Sequence, residues 1–163
     1  MLSTAFAQWE LDGHGDYKDL LTKRAFEMVV SRDPLLTATG IPSTPDFIQP
    51  LLGRKLLIQR DNDFYFRHKL IRDYLASLWL QDQWRDILSD QSISIDQNWT
   101  EMLKFGFSDL DGPDRRELTF AVLKKSRTTA GRLFTWLEKD YPESTKQWST
   151  EFKSEYADVV LQS

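Results

Sequence analysis

The stretch that decides the fold is residues 56–80, which read LLIQRDNDFYFRHKLIRDYLASLWL. Its first part holds two short runs rich in Leu, Ile, Phe and Tyr, at 56–60 and 64–67, and these residue types fit half-buried strands. The polar residues between the two runs form tight turns readily. An apolar stripe at helical spacing then extends from His68 to Leu88. The sequence therefore predicts a β-hairpin that leads directly into a long helix.

Three helices are predicted ahead of the hairpin, at about 17–30, 35–39 and 44–52, from their apolar stripes. Pro34 ends the first helix, since the residue before a proline avoids helical angles. Gly40 and Gly53 are suitable stops for the other two. Three helices followed by a two-stranded wing is the order of a winged helix, a variant of the helix-turn-helix.

The residues after 90 predict a helical tail. Apolar positions recur at helical spacing from Trp99 to Val160, and breaks at 111–113 and 141–142 separate the segments. Short connections favour antiparallel helical hairpins. The expected fold is mainly α: residues 1–16 form a linker or stub, 17–90 a winged-helix domain with helices and one β-hairpin, and 91–163 a helical-hairpin tail domain.

Composition excludes several classes of protein. The chain has 163 residues with a formal net charge of −4, so it has no general attraction for nucleic acid. Cysteine is absent, which rules out disulfides and thiol chemistry. No apolar run approaches the ~20 residues that cross a bilayer, and the N-terminus lacks the features of a signal peptide. We therefore expect a cytoplasmic protein with no membrane contact.

One motif goes beyond hydrophobic pattern. The end of the second predicted strand reads Phe66-x-His68, and the following helix carries Arg72-Asp73-Tyr74-Leu75-Ala76-Ser77. This segment resembles the winged-helix region of signal-transduction ATPases with numerous domains (STAND), the NACHT and NB-ARC class. That family has an aromatic-x-His motif followed by Gln-Glu-Tyr/Phe-Leu-Ala-Ala. Here Asp73 replaces Glu, and Arg72 and Ser77 replace Gln and Ala. The resemblance covers about Tyr17–Leu88.

The resemblance implies a role for His68. In inactive family members the motif histidine contacts the β-phosphate of ADP, which the nucleotide-binding domain holds. An imidazole can donate to a phosphate oxygen, and a small movement can make or break that contact. The alternative is a purely structural role, in which a histidine where a strand meets a helix satisfies local backbone groups.

The sequence lacks the phosphate-binding loop of that family. Gly-x-x-x-x-Gly-Lys-Ser/Thr does not occur, and no strand ending in paired acids precedes the winged helix. Because His68 alone cannot hold a nucleotide, we expect no cofactor. We interpret the chain as a non-catalytic regulatory or interaction module, the lid or relay part of a STAND ATPase in a fragmentary, split or degenerate form. The expected partner is a protein, such as a P-loop ATPase domain.

Other residues that could carry chemistry have simpler explanations. His14 between Asp12 and Asp16 lacks a second histidine nearby, and metal sites need three or four ligands. The turn at 61–63 lacks the glycine and glutamate of a calcium loop. Solvated loops explain the carboxylates at 109, 111 and 114, and the serines at 43, 77 and 126 lack a nucleophile elbow. We therefore expect no metal site, no enzyme activity and no small-molecule substrate.

The alternative function is a DNA-binding winged-helix transcriptional regulator. The presumed recognition helix at 44–52 offers only Gln49 for reading bases, and Asp46 on it would repel phosphate. Arg60 and Arg67 lie on the wing. This composition favours a wing that faces protein, so nucleic acid is not the expected partner. In the tail, the basic residues at 124, 125, 127 and 132 form either a solvated face or a surface for an acidic partner.

Overall fold

The computed structural model describes residues 7, 17–36 and 45–162. The chain folds into two compact units, Met1–Asp82 and Gln83–Ser163. Most of the predicted linker at 1–16 lies outside the described residues. The domain division predicted after residue 90 falls eight residues beyond the boundary between the units, which lies inside a helix.

The first unit has the winged-helix-like order expected from the sequence. Its elements are α1 (Lys18–Ser31), α2 (Pro45–Gly53), β1 (Leu57–Arg60), β2 (Asp63–Phe66) and the start of α3 (Lys69–Ser89). The ends of α1, α2 and α3 lie within one residue of the predicted ends. The prediction of a mainly helical fold with one β-hairpin is confirmed.

The hairpin pairs β1 and β2 in an antiparallel register that runs from Leu57 opposite Phe66 to Arg60 opposite Asp63. The turn between the strands contains Asp61, whose φ of 55° lies in the left-handed region. Asp is one of the few residue types besides glycine that tolerate this conformation. The short polar segment therefore closes the hairpin as a tight turn.

The helix predicted at 35–39 does not start where expected, because Leu35 and Leu36 are not helical. Their backbone groups are used elsewhere. Arg24 donates hydrogen bonds to the carbonyl oxygens of both residues, and the amide of Leu36 donates to the carbonyl of Phe64 at 2.9 Å. These contacts fasten the segment after α1 to the wing strand β2. The remainder of the predicted helix lies outside the described residues.

The core of the first unit is formed by apolar side chains of the hairpin and of the helices that precede and follow it in the chain. They come from α1, α2, the wing and α3, and include Leu21, Ala25, Met28, Val29, Phe47, Ile48, Leu51, Leu57, Ile71, Leu75 and Leu80. The apolar stripes of α1 and α3 would place Leu20 and Leu70 in this core as well, but these two side chains are 38% and 48% exposed. The buried face of α3 instead includes the charged residue Asp73.

The second unit continues from α3 through a 3₁₀ turn (Gln97–Trp99) into five helices. These are α4 (Thr100–Ser108), α5 (Gly112–Lys125), α6 (Arg127–Asp140), α7 (Pro142–Lys146) and α8 (Ser149–Gln162). Asp96 caps the 3₁₀ turn, because its carboxylate accepts from the Asn98 amide at 2.7 Å. The break predicted around Pro142 is occupied by the short helix α7.

The core of the second unit is aromatic and aliphatic. The second half of α5 is largely buried, with Leu118, Thr119, Phe120, Val122 and Leu123 in the core, and the helix packs against α6. A single residue, Ser126, joins these two helices and gives the expected helical hairpin. Across the described ranges 17–36 and 45–162, no helix is both long and apolar enough to span a bilayer.

Candidate functional site at the wing-to-helix junction

Two residues, Arg67 and His68, connect the wing strand β2 to α3. The Arg67 amide donates to the Leu56 carbonyl at 3.0 Å, which extends the hairpin ladder by one bond. The carbonyl of His68 accepts from the Ile71 amide at 3.0 Å, so it begins the first turn of the helix. The backbone is thereby held on both sides of the junction while the side chain of His68 is exposed. An imidazole in this position is accessible to a group from outside the chain.

Asp73 stabilises the first turn of α3. Its carboxylate is fully buried, and it accepts from Lys69 Nζ at 3.0 Å through Oδ2. Oδ1 accepts from both Arg72 Nε and Arg72 Nη2, at 2.9 and 2.6 Å. A buried carboxylate is tolerated only when cations and hydrogen bonds satisfy it, and Asp73 has both. The acidic residue of the motif is therefore a structural anchor next to His68.

The other motif residues serve packing. Leu75 and Ala76 lie in the core, and Phe66 and Tyr74 are half-buried. Asp73 is buried although a charged residue in a helix usually lies on its polar face. Among the motif residues, His68 is thus the one whose polar side chain is exposed.

Basic side chains flank His68 in the sequence, where Arg67 and Lys69 are exposed on either side of it. Arg60 is exposed at the other end of the hairpin, next to the exposed carboxylates of Asp61 and Asp63. Arg60 lies over the ring of Tyr65 at 5.9 Å, which restrains its position on the hairpin. Exposed cations beside an imidazole can attract an anionic group.

Several other sequence candidates serve to stabilise helices. The carboxylate of Asp111 caps α5 by accepting from the Asp114 amide at 2.8 Å, and Asp114 accepts from Arg85 at 2.6 Å. Ser77 donates to the carbonyl of Tyr74, and Ser126 caps α6. No cluster of metal-binding side chains occurs among the residues that the structure describes. His14 and Ser43 lie outside the described residues.

Sequence reasoning missed a buried cluster around Arg24. The Arg24 guanidinium donates to Leu35 O at 2.7 Å, to Leu36 O at 3.2 Å and to Asp33 Oδ2 at 2.8 Å. The pKa of the Asp33 carboxyl is lowered, first by the hydrogen bond that it accepts from the Leu35 amide and then by its contact with Arg24. An arginine within the apolar stripe of α1 was the signal that could have revealed this cluster.

Comparison with protein-family models, curated proteins and solved structures gives no match for this chain. The resemblance to STAND ATPases therefore rests on the residues of the wing-to-helix junction. Any function must be argued from those residues and from the geometry around them.

Proposed function

We propose that this chain is a non-catalytic regulatory module in which the winged-helix-like unit acts as the lid of a nucleotide-switched ATPase of the STAND class. The observation that carries the proposal is the exposed imidazole of His68 at the junction of β2 and α3, on a backbone held by hydrogen bonds from both elements. In this proposal His68 donates to a phosphate of ADP that another domain holds.

The surroundings of His68 support a phosphate contact. Arg67 and Lys69 are exposed on either side of His68, so its neighbours in the chain favour an anion. Asp73 neutralises part of that charge from inside the core, where it cannot meet a ligand. The contact would then depend on His68 and the exposed cations, and a small movement of the lid would break it.

The sequence contains no P-loop, so the nucleotide must be held mainly by a domain outside it. An isothermal titration of ADP into this chain alone tests that requirement. We expect binding no tighter than millimolar, because one imidazole and a few exposed cations replace a phosphate loop. Micromolar affinity would contradict the proposal, since the chain would then contain its own nucleotide site.

A second candidate function is DNA binding, favoured by the exposed cations Arg60 and Arg67 on the wing. The exposed residues of α2 include Asp46 and Gln49 but no Lys or Arg, which argues against its insertion into a major groove. A mobility-shift assay with random duplex at low ionic strength separates the two functions. The lid proposal predicts no shift, whereas DNA binding predicts a shift that weakens steeply with added salt.

A further inference from the structure

Residues 33–36, here called the strap, run from the end of α1 to the wing. Both of the last two residues of the strap have their backbone groups satisfied. The amide of Leu35 donates to a carboxylate oxygen within the strap at 3.0 Å, and the amide of Leu36 donates to the carbonyl of Phe64 at 2.9 Å. The carbonyl oxygens of Leu35 and Leu36 accept from Arg24, at 2.7 and 3.2 Å. One side chain of α1 therefore supplies the donors for both carbonyls.

The strap needs these donors because it enters the core. The side chain of Leu36 is fully buried, and the bond from Arg24 to its carbonyl is buried as well. A carbonyl taken out of water without a donor destabilises the fold. Arg24, itself only 8% exposed, can serve both carbonyls at once because the guanidinium donates in several directions.

The strap contacts β2 on the edge that faces away from β1. Arg67 donates to the Leu56 carbonyl, and hydrogen-bonded pairs alternate along an antiparallel ladder, so the Phe64 carbonyl points away from β1. The Leu36 amide donates to that outward carbonyl. β2 is therefore held on one edge by β1 and on the other by the strap, and it leads directly to His68.

We infer that Arg24 is a positioning residue for the wing: it holds the strap, and the strap holds β2 and the attached His68 on α1. Without Arg24 two carbonyl oxygens lose their donor, so the strap separates from Phe64 while the core of the unit stays folded. A wing held on one edge alone then samples more positions. The consequence for an ADP contact rests on the proposed function, whereas the strap itself does not.

Amide hydrogen exchange and amide chemical shifts of the full chain, measured by NMR without any nucleotide, test this inference. In the wild type the Leu36 amide should be protected. In Arg24→Met it should exchange at close to the rate of an unstructured peptide, while the buried residues Met28 and Leu75 keep protected amides. The amide shifts of residues 64–68 should change as well, because the wing has left its position.

The matched control is Lys23→Met, which removes an exposed cation and adds the same side chain one residue earlier on α1. This variant should keep the Leu36 amide protected and the shifts of residues 64–68 unchanged. Arg24→Lys retains the buried charge and replaces the guanidinium by a single ammonium, which reaches fewer acceptors. It should lower the protection of Leu36 about tenfold in a folded chain.

The inference would be overturned if the Leu36 amide stayed as protected as those of Met28 and Leu75 after both substitutions of the arginine. It would also be overturned if Leu36 lost its protection and the shifts of residues 64–68 did not change, since the wing would then keep its position without the strap. Either failure leaves the ADP contact untouched, because that contact is tested separately through His68.

Discussion

The carboxylate of Asp73 lies in the core of the first unit, although the hydrophobic pattern of α3 assigns it to the solvent side. The helix accommodates it because Lys69 and Arg72, both within one turn, donate to its two oxygens. Leu70, three residues earlier on the same face of the helix, is nevertheless 48% exposed. A hydrophobic pattern alone places every charged residue on the exposed face, because it does not include the neutralisation of that charge by neighbours on the same helix.

Replacing Asp73 by Asn should lower the free energy of unfolding by about 3 kcal/mol, because removal of one member of a buried ion pair leaves the remaining charge uncompensated. Urea denaturation measures the change. Asp82→Asn is the matched control, since Asp82 is exposed on the same helix, and it should change stability by less than about 0.5 kcal/mol. If both substitutions lowered the free energy of unfolding by the same small amount, the buried ion cluster would not exist in solution.

The Arg24 cluster predicts a pH dependence of stability. The pKa of Asp33 is lowered in the folded chain, first by the bond from the Leu35 amide and then by the contact with Arg24. The folded state therefore gains stability above the ordinary carboxyl pKa and loses it as the pH falls through the lowered pKa. The Asp33 side chain is 39% exposed, so solvent reduces the gain to below about 1 kcal/mol.

Unfolding free energies of the wild type and Asp33→Asn, measured from neutral pH into acid, test this dependence. We expect the wild type to be more stable at neutral pH and the difference to vanish in acid, once Asp33 is protonated in both states. A difference that stayed constant with pH would show that the charge of Asp33 does not contribute.

The helices and strands were largely predictable from local chemistry. Proline, glycine and polar breaks lie at or next to the ends of α1, α2, α5 and the hairpin, and these residues act through the backbone alone. The first two residues of the helix predicted at 35–39 are not helical, and their carbonyl groups accept from Arg24, a partner 11 and 12 residues away. Contacts between elements cannot be read from the period of apolar residues.

Lys125 shows how a charge run can be structural. The basic patch predicted around Lys124 and Lys125 divides into two roles, because Lys125 Nζ donates to Asp90 O at 2.7 Å and to Ile93 O at 3.0 Å. These bonds tie the loop after α3 to the end of α5. Lys124 is exposed and carries no such contact in the described part of the second unit.

Replacing Lys125 by Met should therefore speed amide hydrogen exchange at residues 90–95 several-fold, since the loop loses two side-chain hydrogen bonds. Lys124→Met removes the same charge and adds the same side chain one residue earlier, and exchange in the loop should stay as in the wild type. Similar acceleration in both variants would attribute the effect to lost charge and not to these bonds.

At the scale of the whole molecule, the order of elements could be predicted and the packing could not. The winged-helix-like order and the helical tail follow from the proline, glycine and polar residues at which helices and strands end. The compact units divide between Asp82 and Gln83, inside α3, whereas the sequence favours a division in the polar loop after residue 90. Helical periodicity continues through α3 regardless of which neighbours its side chains contact.

The candidate site was predictable only in part. The motif identifies His68 in the sequence, whereas the exposure of its side chain is seen only in the fold. The packing of α6 against α8 had no signal in the sequence. In the sequence Phe134, Phe152 and Tyr156 appear as ordinary packing residues of two helical faces. Tyr156 lies close to α6 because Gly131 has no side chain there, an approach that only the folded chain brings about.

The proposed lid is tested most directly by the release of a fluorescent ADP analogue from the P-loop ATPase domain encoded nearest to this chain, with the chain added in excess. Wild-type chain should slow release several-fold, and His68→Ala should restore the rate of the ATPase domain alone, while Lys124→Ala, which removes an exposed cation of the second unit, should retain the slowing. Release that is equally slow with the wild type and with His68→Ala, or that is unaffected by the chain, would contradict the account.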